Sequence, residues 1–306
     1  MATRFVQNCQ KFRELLKEGG LSLPGAFNGQ VGRLVADNGF HACYLSGAAL
    51  TGSHGLPDIG VLTLDQFCHT IKELALASGL PILADADTGF GEGEMVHKTV
   101  WEYFLAGASG LHIEDQVFPK RCGHLDGKSL IPVEDMVKKV EIAVQASKEC
   151  SAGAFVICAR TDARGVTGIE DTIARSKRYI DAGADMIFPE GLNSREEFAQ
   201  VAQALKGYGP KGGAFLLANM TEFGKTPYIS VEEFKSLGYH CVIFPVSTFR
   251  VANQAVNNFL KELKAQGTQK DWVEKMQTRQ ELYATIKYTP GKEYYYPDSS
   301  SKPEKN

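Results

Sequence analysis

The chain has no CxxC pair, no block of basic residues, no break in composition that would mark a linker, and no apolar run approaching the ~18–20 residues that span a membrane. Each absence excludes a class. Seven cysteines are scattered as Cys9, Cys43, Cys68, Cys122, Cys150, Cys158 and Cys241. An odd, dispersed set argues against a disulfide framework or a zinc ribbon and for a reducing compartment. Most are expected to be small buried apolar residues. The net charge is −3, from 33 basic and 36 acidic side chains, so neither nucleic acid nor a membrane is an expected partner. The first twenty residues carry Glu14 and Glu18 among Arg4, Lys11, Arg13 and Lys17, whereas transit peptides avoid acids. The expected compartment is the cytoplasm, with the mitochondrial matrix the alternative for a eukaryotic source.

What is present is one pattern repeated. Of 306 residues, 43% are hydrophobic, enough for a large core. Short apolar runs fall at Leu21–Ala26, Ala42–Leu45, Ile82–Ala84, Leu111–Ile113, Phe155–Ala159, Met186–Phe188, Phe215–Ala218 and Cys241–Phe244. Each is followed by a segment of helical periodicity. Several of these segments stop on glycine, as at Gly79, Gly107, Gly183 and Gly238. Thr63 with Gln66 reads as a capping box. Eight strand–helix units predict an α/β fold, a (β/α)8 TIM barrel; an open doubly wound sheet is the alternative. Phe5, Cys9, Phe12 and Leu16 lie at helical spacing before Gly19-Gly20 and predict the barrel's first helix. Beyond Gln266, Asp271 to Ile286 has helical character with Trp272, Met276 and Tyr283 as apolar anchors. That helix cannot sit in the barrel wall and is expected to cap it or to pack on a neighbour. Residues 1–290 thus read as one barrel domain with a helical extension, and 291–306 as a polar, disordered tail.

In this fold the active site lies where the strands end. The ends are polar: Ser46-Gly47, Asp85-Ala86-Asp87, Glu114-Asp115, Arg160-Thr161-Asp162, Glu190 and Asn219. Asp85 and Asp87 flank one residue, so extended backbone would point both to one side. Adjacent carboxylates repel unless a cation joins them, and hard oxygen ligands favour Mg2+, with Mn2+ the alternative. The bland alternative is a pair of helix-capping aspartates. Glu114 and Asp58 are candidates to hold metal-bound waters. The Thr88–Gly93 stretch lacks GxGxxG spacing and reads as a hinge rather than a phosphate loop. In Lys120-Arg121-Cys122-Gly123-His124, two cations and a histidine surround one thiol and favour its thiolate; an exposed cysteine on a basic loop is the alternative. The long connection from Asp115 to Pro132 has the length of a lid.

The Lys-Arg-Cys-Gly-His run resembles the signature of the isocitrate lyase/phosphoenolpyruvate mutase superfamily, and within it the chain most resembles the 2-methylisocitrate lyases. Further matching stretches are Tyr44–Gly47, Gly55–Asp58, Asp85–Asp87, Gly110–Gln116, Ala159–Ala163, Phe188–Glu190, Asn219–Gly224 and Met276–Arg279, so the likeness runs from about Phe12 to Tyr288. The resemblance implies a Mg2+-dependent carbon–carbon lyase that cleaves a small 2-hydroxy tricarboxylate such as 2-methylisocitrate to pyruvate and succinate. It implies that Asp85 and Asp87 hold the metal, that Cys122 is the general acid/base with His124 beside it, and that Tyr44 accepts the hydroxyl proton. Ser46, Gly47 and Ala48 would bind a carboxylate, and Gly123, Arg160, Glu190, Asn219, Thr221, Arg250 and Arg279 would complete the pocket. Phe188 and Ile243 are expected near a substrate methyl. It also implies a homotetramer whose C-terminal helices are exchanged between subunits.

One departure stands out. The methylisocitrate enzymes commonly carry three glycines after the serine, where this chain has Ser46-Gly47-Ala48-Ala49. A positive φ at Ala48 would be strained. The large insertions of true isocitrate lyases are missing. Sister activities on isocitrate, 2,3-dimethylmalate or oxaloacetate, a phosphonate mutase, and a catalytically silent assembly protein are the alternatives.

Overall fold

In the computed structural model, which describes residues 2–121, 123 and 127–295, all eight expected strands are present. They are β1 (Leu21–Pro24), β2 (Cys43–Leu45), β3 (Ile82–Asp85), β4 (Gly110–Glu114), β5 (Val156–Thr161), β6 (Met186–Pro189), β7 (Phe215–Asn219) and β8 (Cys241–Phe244). All pair in parallel in the order β1-β8-β7-β6-β5-β4-β3-β2. The Ala26 N–H donates to the Tyr44 carbonyl at 2.8 Å, which brings β1 against β2 and the ring to closure. A ring has no free edge, so the open-sheet alternative falls.

The period of two along each strand sorts the core. Leu21 and Leu23, Tyr44, Leu83, Val156 and Cys158, Met186 and Phe188, Leu217, and Cys241 and Ile243 share one buried cluster, the barrel interior. The intervening residues, among them Cys43, Leu45, Ala84, Ile113, Ile157 and Ala218, join a second cluster with the surrounding helices. Burial on both faces is why the strands read as unbroken apolar runs.

The N-terminal helix α1 (Ala2–Glu18) corrects one expectation. Its Phe12 and Leu16 belong to the interior cluster, not to the wall. Arg13 donates to the carbonyls of Gly153 and Ala154 and pairs with Asp185 at 2.8 Å, all just ahead of β5 and β6. The helix therefore plugs the mouth where the strands begin, leaving the opposite end for chemistry.

The wall helices are α2 (Gly29–Asp37), α3 (Gly47–Ser53), α4 (Leu64–Ser78), α5 (Glu94–Ala106), α6 (Val133–Ser151), α7 (Ile169–Asp181), α8 (Arg195–Leu205) and α9 (Val231–Ser236). The capping box opens α4 as expected, and Gly79 ends it at φ 68°. A long α10 (Ser247–Gln266) follows β8 and buries none of its residues. The single helix expected over 271–286 is two pieces, a 3-10 turn at Lys270–Lys275 and α11 (Arg279–Thr285). Met276 between them is extended, and Thr278 starts a new capping box that restarts the helix. Trp272 packs edge-on to Phe259 of α10 and donates its Nε1–H to Glu262. Among the described residues no helix is long and apolar enough to cross a membrane.

Candidate active site

The strand ends converge on a cavity lined by Tyr44, Ser46, Ala48, Asp58, Asp85, Lys120, Gly123, Arg160, Phe188, Glu190, Asn219, Thr221, Ile243, Pro245 and Val246. The turn after β2 is built by Ser46, whose hydroxyl caps α3 by accepting from the Ala49 N–H at 3.3 Å. Ala48 lies within that helix and has no positive φ, so alanine here is unstrained, contrary to the expectation. Gly47 is required by contact instead. A Cβ there would stand 2.8 Å from Asp85 Oδ2 and 3.4 Å from Asp87 Oδ1, and its N–H donates to Asp85 Oδ2 at 3.1 Å.

The Asp85–Asp87 geometry also differs from the extended one expected. Strand β3 ends at Asp85, and Asp87 turns into the left-handed region at φ 45°. The turn is held by Asp87 N–H donating to Asp85 Oδ1 at 3.0 Å and by the Glu114 N–H donating to the Asp87 carbonyl at 2.9 Å. Neither aspartate caps a helix; Gly93 precedes α5.

Electrostatics make this cluster unusual. Burial pushes Asp87 up to about 6 despite Lys120, and pushes Glu114 well above the carboxylate range despite Arg160. Burial works against the charge of Asp85 too, but His112, Lys120 and Arg160 outweigh it and hold its carboxyl low. The Lys120 ammonium, 3% exposed, lies between Asp58 and Asp87, 2.8 Å from Asp87 Oδ1. Among the described residues both Glu114 oxygens lack a hydrogen-bond partner, although Arg160 Nη1 is 3.3 Å from Oε2. Six carboxylates (Asp58, Asp85, Asp87, Glu114, Asp162, Glu190) thus meet three cations (Lys120, Lys128, Arg160) around the cavity. Orphaned buried carboxylate oxygens and surplus negative charge fit a divalent cation. Among the described residues no three acidic or histidine side chains already encircle a point. Mg2+ needs only one or two carboxylates plus waters, so the set fits it.

The other half of the site is built around Arg160. Its Nε and Nη2 donate to the two oxygens of Asp162 at 2.9 and 3.1 Å, and its guanidinium lies over Phe188, 5.1 Å from the ring centre. Burial would raise Asp162, yet Arg160 and Lys128 hold its carboxyl down to about 2. Glu190, 1% exposed, accepts from Asn219 Nδ2 at 3.2 Å through both oxygens, and the Asn219 Oδ1 has no partner among the described residues. The Tyr44 hydroxyl lies 2.7 Å from His112 Nε2; His112 Nδ1 is 3.8 Å from Asp85 Oδ1. Burial pushes the Tyr44 phenol well above its ordinary value and His112 down to about 4, so both rings are neutral near pH 7.

Ser46, Gly47, Ala48, Asp58, Asp85, Asp87, Glu114, Gly123, Arg160, Glu190, Asn219, Thr221 and Tyr44 are therefore brought together, with Phe188 and Ile243 in the lining. Two are not. Arg250 is half exposed, beside Glu222 and over the Phe223 ring, in an adjoining groove that shares Ala48 and Val246 with the cavity. Arg279 is exposed at the start of α11. Cys122 and His124 lie outside the described residues. The other six cysteines form no disulfide, and burial raises the Cys9 and Cys43 thiols to about 12. Asp115 and Asp162 are among the polar strand ends that the sequence marks, whereas His112 and Lys128 carry no local signal of a site role, because their partners Tyr44 and Asp162 lie 68 and 34 residues away.

The family model described as phosphoenolpyruvate phosphomutase matches residues 12–264. A 2-methylisocitrate lyase of Aeropyrum pernix is 49% identical over 277 residues, covering 90% of this chain and 86% of its own. A 2-methylisocitrate lyase of Bacillus subtilis is 44% identical, covering 91% and 89%. Among solved structures, a 2,3-dimethylmalate lyase of the PEP mutase/isocitrate lyase superfamily aligns at TM-score 0.83 and 36% identity over 91% of both chains.

Proposed function

The chain belongs to the phosphoenolpyruvate phosphomutase family and is a carbon–carbon lyase within it; we propose that it cleaves 2-methylisocitrate to pyruvate and succinate with Mg2+ bound. The observation that carries this reading is the mixed lining of one cavity. Asp58, Asp85 and Glu190 share it with Lys120 and Arg160 and with apolar Phe188, Ile243 and Val246. That suits a polycarboxylate that bridges a metal and a guanidinium while burying one alkyl group.

Asp85 and Asp87 would hold the metal directly, with Asp58 and Glu114 acting through its waters. Bound Mg2+ supplies Lewis-acid polarisation that makes the substrate hydroxyl more acidic. Tyr44 accepts the hydroxyl proton while passing its own to neutral His112, a relay consistent with the 2.7 Å contact. Cleavage then breaks the bond between the carbinol carbon and its neighbour, giving pyruvate and a succinate enediolate. Arg160 faces the charge that develops, in a site with little water to screen it. Cys122 delivers the proton to the new carbanion carbon. The Ser46–Ala48 turn binds a carboxylate, and Glu190, Asn219 and Thr221 position the rest.

Arg279 reaches such a site only if the C-terminal segment crosses to another subunit, so the proposal includes a homotetramer with exchanged terminal helices. Supporting this, α10 carries exposed Val251, Val256 and Leu260 and buries nothing.

The test offers 2-methylisocitrate, isocitrate and 2,3-dimethylmalate in parallel, following 2-oxoacid release, and oxaloacetate, following its loss. Fast pyruvate release from 2-methylisocitrate, abolished by chelator, is expected. Strong turnover of another acid with none of this one would overturn the substrate assignment.

A further inference from the structure

One enclosed cation has no part in the chemistry above. Lys128 sits on the returning limb of the loop that follows β4, whose neck is closed by a Gln116–Leu130 bridge and by the Val117 N–H donating to Ser129. Its side chain is 2% exposed. The ammonium donates to the carbonyl of Gly123 and, at 2.8 Å, to Asp162 Oδ1. Burying an ammonium is costly, and an apolar side chain of equal length would fill the same space at less cost.

Both partners belong to the site. A Cβ at Gly123 would stand 2.4 Å from Glu190 Cγ and 2.6 Å from Arg160 Nη2, so the loop backbone is pressed directly onto those two side chains. Asp162 is the carboxylate that grips Arg160 through both oxygens. It is itself anchored: its N–H donates to Asp115 Oδ1 at 2.9 Å, and Asp115 accepts from Tyr179 at 2.8 Å and pairs with Arg175 at 3.3 Å. One carboxylate therefore serves two purposes. Its Oδ1 is shared between Lys128 and the Arg160 Nη2.

We infer that Lys128 is a positioning residue that ties Gly123 and the Arg160 guanidinium to a common anchor, Asp162, and so fixes the loop backbone at Gly123 relative to the anion-stabilising cation. A misplacement of about 1 Å between a reacting group and its substrate is enough to cost ~100-fold in rate. The inference rests on the proposed roles of Arg160 and Cys122, and it applies whichever acid is cleaved.

The test is Lys128→Met in the full-length protein. Asp162 keeps both bonds to Arg160 in that variant, so no carboxylate is stranded. Two readouts are taken: steady-state cleavage of whichever acid the wild type turns over best, and the rate at which iodoacetamide alkylates Cys122, followed by peptide mapping with Cys68 and Cys150 as internal references. Turnover is expected to fall by a factor of at least 30 relative to wild type, while KM changes less than threefold. Cys122 alkylation should rise at least tenfold, with the reference cysteines unchanged. Wild-type turnover and an unaltered alkylation rate would overturn the inference and leave Lys128 as packing. If the wild type turns over none of the acids, the alkylation readout still decides about Lys128, while the substrate reading alone falls. Should Lys128→Met not fold, Lys128→Gln, which keeps one donor for the Gly123 carbonyl, is read by the same two measures.

Discussion

Gly47→Ala adds a single methyl to the site. The new Cβ would lie 2.8 Å from Asp85 Oδ2, 3.2 Å from its Cγ and 3.4 Å from Asp87 Oδ1. Gly47 has no positive φ, so the backbone accepts alanine and only the contact matters. Asp85 cannot simply rotate aside. Its Oδ1 accepts from the Asp87 N–H at 3.0 Å, and its carbonyl accepts from Tyr103 at 2.7 Å. Restoring ordinary contact requires the carboxylate or the start of α3 to move by roughly half an ångström. Overpacking of this kind costs about 1–3 kcal/mol and lowers Tm by a few degrees in a protein of this size. A ligand displaced that far should lower kcat/KM about 10–100-fold. If the carboxylate is what moves, Mg2+ affinity falls as well. Calorimetric titration with Mg2+, steady-state kinetics and circular dichroism on the same preparation separate metal loss from unfolding. A folded variant with wild-type Mg2+ affinity and turnover within twofold of wild type would refute the placement of Asp85 at the metal.

Three further outcomes are expected. Cys122→Ser should bind substrate normally and turn over at least ~100-fold more slowly; near-normal turnover would remove its role as proton donor. Arg160→Lys forfeits the paired hydrogen bonds to Asp162 and should lower kcat/KM about 10–100-fold, because an ammonium cannot reproduce the planar fork; unchanged kinetics would contradict this. Burial pushes His112 down to about 4 from 6.5. Between those values the unfolded chain takes up a proton that the fold excludes. The stability held above pH 6.5 is therefore lost as pH falls toward 4, by about 2 kcal/mol at pH 5. Asp87, raised to about 6, has the opposite sign, since the fold binds its proton first. Comparison with His112→Gln isolates the histidine: in urea unfolding with chelator, the variant should lose about 2 kcal/mol less than wild type between pH 7 and 5. Parallel losses would show that His112 is not buried as a neutral ring.

The barrel is legible in the sequence because strand–helix alternation is a local signal; the Cys241–Phe244 run matches its strand to the residue, and the other runs match theirs to within two at either end. Differences arise where tertiary contact overrides local pattern. Helix α1 has ordinary amphipathic spacing, and nothing in its residues says that Phe12 and Leu16 enter the barrel rather than its wall. The Asp85–Asp87 pair meets for a reason other than the one its spacing suggests. Its members share a site because Asp87 leaves the strand at φ 45°, not because it continues it. A glycine-like coil would strain Ala48, but Ser46 starts a helix there. The Lys128–Asp162–Arg160 anchor is invisible in the sequence, since a lysine 34 residues before its aspartate has no spacing signature. Arg250 and Arg279 follow from the family pattern alone and do not line the cavity in the single chain.

The most direct measurement is cleavage of 2-methylisocitrate by the Mg2+-loaded protein in D2O, with products followed by NMR and mass spectrometry. Pyruvate and succinate should appear in equal amounts, the succinate carrying one deuterium at the carbon whose bond was broken, and chelator should stop the reaction. Failure to cleave this acid, or cleavage that leaves the succinate free of solvent deuterium, would contradict a retro-aldol lyase with a proton donor in exchange with solvent.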